Sequence, residues 1–259
     1  MDELPSRRAR RWWLTRRRIG TIARAGAFLD DVGFALLFPN KGVVLPSLYE
    51  ASSASAGEVE GIDWGPDSDR VWGWKDEMPR RGLAWYGKFL RHRPSFLSPE
   101  LLADLYPREG RPEDYEDEPL SRDAARVARI LLRSGPQSTG ALREALDVEA
   151  RAASTAFVKV LAELGRALVI THFGSQDEGG SWPVPVLELT ARAFPMGRRP
   201  DLEERRRRAT RRFLDTMLLA RPSELGNAFG WGADTARKTL DELVEGGEVV
   251  RDEGGYRLA

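Results

Sequence analysis

The 259-residue sequence contains no cysteine and only two histidines, His92 and His172. Disulfide bonds and thiolate metal sites are therefore excluded, because both need a cysteine sulfur. Two histidines also disfavour a histidine-based metal site, and we expect neither a metal nor another cofactor. His172 falls at the end of a predicted strand, where we interpret it as a structural or solvated residue.

Long apolar runs are missing as well. No stretch approaches the roughly 20 apolar residues that cross a bilayer. The arginine-rich N-terminus is not followed by the continuous apolar segment of a secretion signal. We therefore expect a soluble, cytoplasmic protein with no membrane partner.

The sequence has no excess of either charge, since 40 Lys and Arg balance 40 Asp and Glu. The strongly basic balance that is typical of nucleic-acid-binding proteins is thus absent. The charges are nevertheless unevenly distributed. Residues 1–27 contain eight arginines and two acids (8 − 2 = +6), whereas residues 109–123 contain two arginines and seven acids (2 − 7 = −5). Binding to a nucleic acid would therefore depend on local basic patches.

Several catalytic motifs are also absent. The sequence has no Gly-Lys-Ser or Gly-Lys-Thr of a P-loop and no Gly-x-Ser-x-Gly nucleophile turn. It also lacks the alternating strands and glycine fingerprint of a dinucleotide-binding fold. The residues favour a binding protein over an enzyme.

A repeated order of predicted elements organises the second half of the chain. Residues 120–190 read as helix, short helix, third helix and β-hairpin, and the same order recurs in residues 200–259. Within these copies, the pattern predicts a strand over 184–189 and a short helix over 222–229. This order predicts two winged helix-turn-helix units in a mainly α fold with short β-hairpins.

The first half of the chain is less regular. Residues 1–108 are predicted to form an N-terminal α/β region, for which a degenerate winged helix is one option. A helix is predicted to start at Ser98, which precedes a proline at the first helical position. The Pro-rich, acidic residues 109–119 predict a linker.

The third helix of a winged helix-turn-helix unit enters the major groove of DNA and presents its outward side chains to bases and phosphates. The outward residues are Arg151, Ser154, Thr155 and Lys159 in the first unit and Thr235, Arg237 and Lys238 in the second. The third helix of the second unit also carries four acids, which would repel phosphates. We therefore expect the first unit to bind DNA more strongly. Winged helices also serve as protein scaffolds, so a homodimer or another protein partner stays open.

An aromatic stretch precedes these units. The candidates for stacking on a nucleobase are Trp72, Trp74, Trp85 and Tyr86. Asp76, beside a lysine, is the candidate for a catalytic carboxylate. Packing in a core is the commoner role of tryptophan and tyrosine at this density.

Three sequence stretches carry a family resemblance: DDVGFALLFP at 30–39, VWGWKD at 71–76 and WYGKFL at 85–90. Together with the tandem units, they resemble the AlkZ/YcaQ-like family of winged-helix proteins, which is associated with repair of alkylated and crosslinked DNA. The chain is more narrowly similar to a shorter, AlkZ-related branch. The resemblance implies double-stranded DNA as the partner.

The resemblance also exposes a difference. Glycosylase members carry a Gln-x-Gln or Gln-x-Asp pair that is thought to position the attacking water, and Leu36 and Phe38 occupy those positions here. Neither side chain can orient or deprotonate a water. The sequence therefore favours a DNA-binding protein linked to repair or lesion recognition. An active glycosylase that removes alkylated bases and a transcription regulator are the alternatives.

Overall fold

The computed structural model describes residues 3–16, 18–53, 62–146, 151–180 and 182–259, and for residues 151–154 it describes the backbone alone. Within these ranges, no helix has both the length and the apolar character that a bilayer span requires.

Helices make up most of the described structure. They are α1 (Glu3–Arg11), α2 (Ile22–Val32), α3 (Leu48–Ser52), α4 (Pro66–Arg80), α5 (Pro99–Leu105), α6 (Arg122–Ser134), α7 (Thr139–Ala145), α8 (Arg151–Arg166), α9 (Thr190–Ala193), α10 (Leu202–Met217), α11 (Pro222–Phe229) and α12 (Ala233–Glu245). Short 3-10 helices cover Leu90–His92 and Pro112–Asp117.

The strands are short. They are β1 (Phe34–Leu36), β2 (Trp85–Lys88), β3 (Pro94–Leu97), β4 (Gln137–Ser138), β5 (Ile170–Gln176), β6 (Val184–Leu189), β7 (Val249–Asp252) and β8 (Gly255–Leu258). They form the antiparallel sheets β1-β3-β2, β4-β6-β5 and β7-β8. The predicted fold class, mainly helical with small sheets, is therefore confirmed.

Serine caps set the starts of several helices. The hydroxyls of Ser98, Ser121 and Ser138 accept the backbone N–H three residues further on at the starts of α5, α6 and α7. Each cap satisfies a helical N–H group that has no partner within its helix. The predicted helix start at Ser98 is confirmed.

The N-terminal and C-terminal parts of the chain share one core. Phe34 of β1 stacks on Phe213 of α10 with ring centroids 5.6 Å apart, and Phe229 of α11 lies edge-on to both rings. A separate core within residues 115–189 is built around Val127, Leu131 and other apolar side chains of α6, α8 and β6.

The N-terminal helix is held by the end of α10. The indole Nε1–H of Trp12 donates to the carbonyl of Thr216 over 2.8 Å, and Arg8 donates to the carbonyl of Met217 over 2.9 Å. Carbonyl groups at the C-terminus of a helix lack intrahelical partners and favour cations. Arg8 therefore stabilises the fold by binding the end of α10.

The acidic segment 109–119 is folded. Tyr115 is buried, and the buried carboxylate of Asp114 accepts the backbone N–H of Arg111 over 2.9 Å. Arg108, just before the segment, donates to the carbonyl of Ala167 over 2.6 Å. These contacts tie the segment to the core of residues 115–189, and the domain boundary that we placed there stays a prediction.

Two polar contacts fix the N-terminal sheet against β5 and against the residue that directly follows β6. The hydroxyl of Thr171 in β5 donates to the carbonyl of Tyr86 in β2 over 3.2 Å. The indole Nε1–H of Trp85 donates to the hydroxyl of Thr190 over 3.1 Å. Because both contacts are buried, the two sheets are held in a defined relation, and a cleft opens beside them.

Candidate functional site

The cleft lies among α4, β2, α8 and the β5–β6 hairpin and has a volume of about 620 Å³. Its wall is mainly apolar, with Val158, Leu161 and Leu187 among its residues. Polar groups enter it from α4 and β5. Volumes of about 300–1,000 Å³ with a few polar groups in an apolar wall are typical of small-ligand sites.

Helix α4 supplies a cation and a carboxylate on adjacent positions. The Nζ of Lys75 lies 2.8 Å from Oδ1 of Asp76, and the same ammonium lies 4.5 Å from the ring centroid of Trp72. Positions three and four residues apart face the same side of a helix, so Trp72 and Asp76 both reach the cleft. Lys75 is buried, and its charge is compensated by this carboxylate and by the face of the indole.

Strand β5 approaches the same carboxylate from the other side. The Nε2 of His172 lies 3.1 Å from Oδ1 of Asp76, and the hydroxyl of Ser175 donates to Oδ2 over 3.1 Å. His172 is buried, and its ring nitrogen makes no well-aligned hydrogen bond despite this short distance. The contact holds the imidazole against the carboxylate at the wall of the cleft.

A bulge in β5 makes this arrangement possible. Residues three apart in a regular strand point to opposite faces of the sheet. The register of β5 against β6 shifts between His172 and Ser175, and Gly174 has φ +124° within the shift. The extra residue turns both side chains toward Asp76.

The cluster holds a fixed negative charge. Burial raises the pKa of Asp76, but His172 and Lys75 lower it by more, and the pKa lies at about 2. Burial, and then the charge of Asp76, raise the pKa of Tyr86 above its usual value. At neutral pH the cleft therefore contains a carboxylate and a neutral phenol. Such a carboxylate can attract or stabilise positive charge, but it is a weak general base.

The predicted stacking residues fall into two groups. Trp72 is 44% exposed and lines the cleft, and Tyr86 lines it with its ring centroid 5.4 Å from that of His172. Trp74 and Trp85 lie in the cores, and Trp85 has no exposed surface. A base cannot reach these two rings, so their assignment as stacking residues is wrong. Apolar burial on the opposite faces of α4 and β2 explains their positions.

The segment that we matched to the polar pair of the glycosylases by resemblance packs against a residue of the cleft wall. Leu36 is fully buried in β1. Phe38 stacks on Trp72 with ring centroids 6.3 Å apart and also contacts Trp64 and Tyr49. Aromatic rings therefore pack behind the cleft wall at this place.

The predicted DNA-contacting residues of α8 lie beside the cleft. Thr155 and Lys159 are exposed, on the helix whose Val158 lines the cleft, and Lys159 has no ion-pair partner among the described residues. The side chains of Arg151 and Ser154 lie outside the described residues.

The predicted DNA-contacting residues of α12 do not line the cleft. Thr235 is half-buried and Arg237 is exposed. The Nζ of Lys238 lies 3.5 Å from carboxylate oxygens of both Glu203 and Glu242. This cation is already compensated within the protein.

Further cations lie at the edge of the cleft. Lys88 lines it, and Arg91 and Arg93 follow in the exposed turn between β2 and β3. In the described part of the chain, none of the three has an ion-pair partner. By contrast, Arg207 and Arg211 in the arginine-rich helix α10 are paired with carboxylates. Lys88, Arg91 and Arg93 thus carry uncompensated positive charge in a turn whose two ends, Lys88 and Pro94, line the cleft.

Comparisons with known proteins agree with this architecture. A family model described as AlkZ related matches residues 19–227. The chain belongs to the AlkZ-related family. Among solved structures it is similar to the Streptomyces sahachiroi DNA glycosylase AlkZ, with a TM-score of 0.58 and 14% identity over 97% of this chain and 68% of that chain. At this identity the likeness shows the fold alone. A comparison with curated proteins gave no match.

Three residues of the site in this AlkZ-related chain escape sequence reasoning: His172, Ser175 and Trp182. The first two depend on the bulge in β5, for which the isolated Gly174 is the sequence signal. Trp182 also left a signal, because a tryptophan in a Gly-rich polar connection has no apolar periodicity that would bury it.

Proposed function

We propose that this protein binds double-stranded DNA through winged-helix units at 120–190 and 200–259 and receives one nucleobase in the cleft around Asp76, in base or lesion recognition linked to DNA repair. The observation that carries the proposal is a mainly apolar cleft with an ionised carboxylate inside and uncompensated cations at its edge.

The order of elements supports the winged-helix interpretation. Helices α6, α7 and α8 are followed by the β5–β6 hairpin, and α10, α11 and α12 are followed by the β7–β8 hairpin. In such units the third helix enters the major groove. Because α8 also forms part of the cleft wall, DNA contacts made by this helix would bring a nucleotide close to the cleft.

The chemistry of the cleft suits an extruded base. Proteins that extrude a nucleotide read its base by stacking on aromatic rings and by hydrogen bonds to its polar edge. Here the rings of Trp72 and His172 line the cleft, and Asp76 offers an acceptor. The cations Lys88, Arg91 and Arg93 would attract the phosphates that accompany such a base.

The residues of the cleft support binding of a base without excision better than hydrolysis of its glycosidic bond. The apolar Leu36 and Phe38 occupy the positions of the polar pair, so no water-positioning group lies there. Asp76, with a pKa of about 2, is a poor acceptor for a proton from water.

One observation favours active excision of an alkylated base as a second candidate. Breaking a glycosidic bond develops positive charge on the sugar, and an ionised carboxylate in a mainly apolar site stabilises such charge. Asp76 supplies a carboxylate of this kind.

The test is fluorescence anisotropy with a plain duplex and an otherwise identical duplex containing one N7-methylguanine, across a salt series. A denaturing gel after alkaline treatment then reports strand cleavage. We expect salt-sensitive binding that is tighter on the alkylated duplex, without cleavage.

Each other outcome selects a different function. Cleavage of the alkylated duplex that Asp76→Asn abolishes would establish the glycosylase. Selective binding of a palindromic sequence by a dimer, without lesion preference, would establish a transcription regulator. No binding to either duplex would overturn the proposal.

A further inference from the structure

Trp182 is an exposed aromatic side chain at the edge of the cleft. It lies in the connection between β5 and β6 and is 80% exposed, the largest value among the exposed large hydrophobic residues in the described part of the chain. It nevertheless lines the cleft, together with the exposed Val158 of α8. Aromatic side chains bury about 150–250 Å² when they pack, so this indole offers a free contact surface.

The other exposed tryptophans have ring partners. Trp64, which is 65% exposed, and Trp72 both contact the ring of Phe38. Among the described residues, no aromatic ring or cation packs on Trp182. Its indole is therefore the surface tryptophan whose face is open to an external partner.

The charges around the cleft indicate the chemistry of that partner. Lys88 and the arginines of the β2–β3 turn favour an anionic molecule. The connection that carries Trp182 has the opposite sign, because Asp177 and Glu178 precede the tryptophan and are exposed. These acids would repel phosphates. A nucleic acid would therefore contact Trp182 through a base rather than through its backbone.

We propose that Trp182 is a base-stacking residue whose indole stacks on the nucleobase that occupies the cleft. The inference rests on the proposed function, since it requires a base in the cleft. Because every base has a π face, stacking adds affinity for an extruded nucleotide with little preference for its identity. Trp182 thus favours a base that has left the stack of the duplex, while the polar groups around Asp76 contact the edge of that base.

The experiment compares Trp182→Ala and Trp182→Phe with the matched control Trp64→Ala. Trp64 is also an exposed tryptophan, but it is not part of the cleft lining. Binding is measured on a fully paired duplex and on a duplex with one mismatched base, which is easier to extrude. Since a stacked base contributes about 1–3 kcal/mol, we expect Trp182→Ala to weaken binding of the mismatched duplex by about 5- to 150-fold.

Trp182→Ala should bind the paired duplex within about twofold of the wild-type affinity. Trp182→Phe should retain most of the wild-type affinity for the mismatched duplex. Trp64→Ala should match the wild type on both duplexes. In a parallel experiment, 5-iodouracil at the mismatched position should crosslink under ultraviolet light to the peptide that contains Trp182. Thermal unfolding of each variant verifies that the fold is retained, as expected for exposed side chains.

Three results would overturn the inference. If the wild type binds DNA but Trp182→Ala binds the mismatched duplex equally well, the indole makes no stacking contact and the proposed function stands without it. If sedimentation shows a dimer that Trp182→Ala dissociates, the indole packs against a second copy. If the wild type binds neither duplex, the proposed function and this inference fail together.

Discussion

The Nε2 of His172 lies 3.1 Å from Oδ1 of Asp76 and so joins strand β5 to helix α4 inside the cleft. The same carboxylate also receives Lys75 and Ser175. A buried cation is costly when it has no partner, so Asp76 stabilises the fold by compensating Lys75 and remains available to a ligand. One residue therefore serves both the fold and the candidate site.

The pH dependence of the free energy of unfolding should reveal the contribution of the Asp76 carboxylate. The pKa of Asp76 falls from 3.8 to about 2 on folding. A lowered pKa contributes stability that is present above the unfolded value and is lost as the pH falls toward the folded value. We expect about 2 kcal/mol from this shift at pH 7, declining below about pH 4.

Urea unfolding of the wild type and Asp76→Asn between pH 3 and 7 measures this contribution. The difference in free energy of unfolding between the two proteins should shrink as the pH falls through this window. Parallel curves for the two proteins would show that the carboxylate is not stabilised by its neighbours.

The contact between Trp85 and Thr190 should be important for stability. Both residues have no exposed surface, and the indole Nε1–H donates to the threonine hydroxyl over 3.1 Å. Thr190→Val keeps the shape and leaves this N–H unpaired, which costs about 1–3 kcal/mol. Thr190→Ser is the complementary variant: it keeps the hydroxyl and loses the methyl group, so it shows how much of any change comes from packing rather than from the hydrogen bond. Urea unfolding in which the valine variant equals the wild type would contradict the expected penalty.

The two third helices should differ in their contribution to DNA binding. Neutralising a lysine that contacts a phosphate lowers the slope of log affinity against log salt by about 0.9. We expect this change for Lys159→Gln, because Lys159 is exposed on α8 without an ion-pair partner among the described residues. Lys238→Gln should leave the slope unchanged, since Glu203 and Glu242 already compensate that ammonium. The reverse result would move the DNA contact to α12.

Local signals predicted much of the second half of the chain. The strand expected over 184–189 and the short helix expected over 222–229 have those bounds in the structure. Both lie between prolines, glycines or charged turns that punctuate the apolar pattern. Such signals act over a few residues, so they predict secondary structure without knowledge of the tertiary fold.

The candidate site depends on longer-range packing. Asp76 was identified as a candidate, but its partners His172 and Ser175 are about 100 positions away and meet it only because β5 contains a bulge. Trp72 and Trp85 illustrate a second limit. Both belong to one aromatic stretch, yet one lines the cleft and the other is buried. Composition cannot separate these roles, because the packing of α4 against β5 decides them.

The turn between β2 and β3 should be under backbone strain. Arg91 and His92 have φ +49° and +60°, and successive positive φ angles in a hairpin turn favour residues such as Asn and Gly. The left-handed conformation costs a side chain-bearing residue about 1–2 kcal/mol. Glycine avoids most of this cost but loses about 0.5–1 kcal/mol through the freedom of its unfolded chain. We therefore expect His92→Gly to raise the free energy of unfolding by up to about 1 kcal/mol.

His92→Ala is the matched control, because alanine removes the imidazole and retains the unfavourable Cβ. Urea unfolding should show little or no gain for alanine and a gain for glycine. Both variants keep Arg91 and Arg93, so their affinity for duplex DNA should change equally, through loss of the imidazole alone. Equal stability of the two variants would contradict strain at this turn, because only the Cβ distinguishes them.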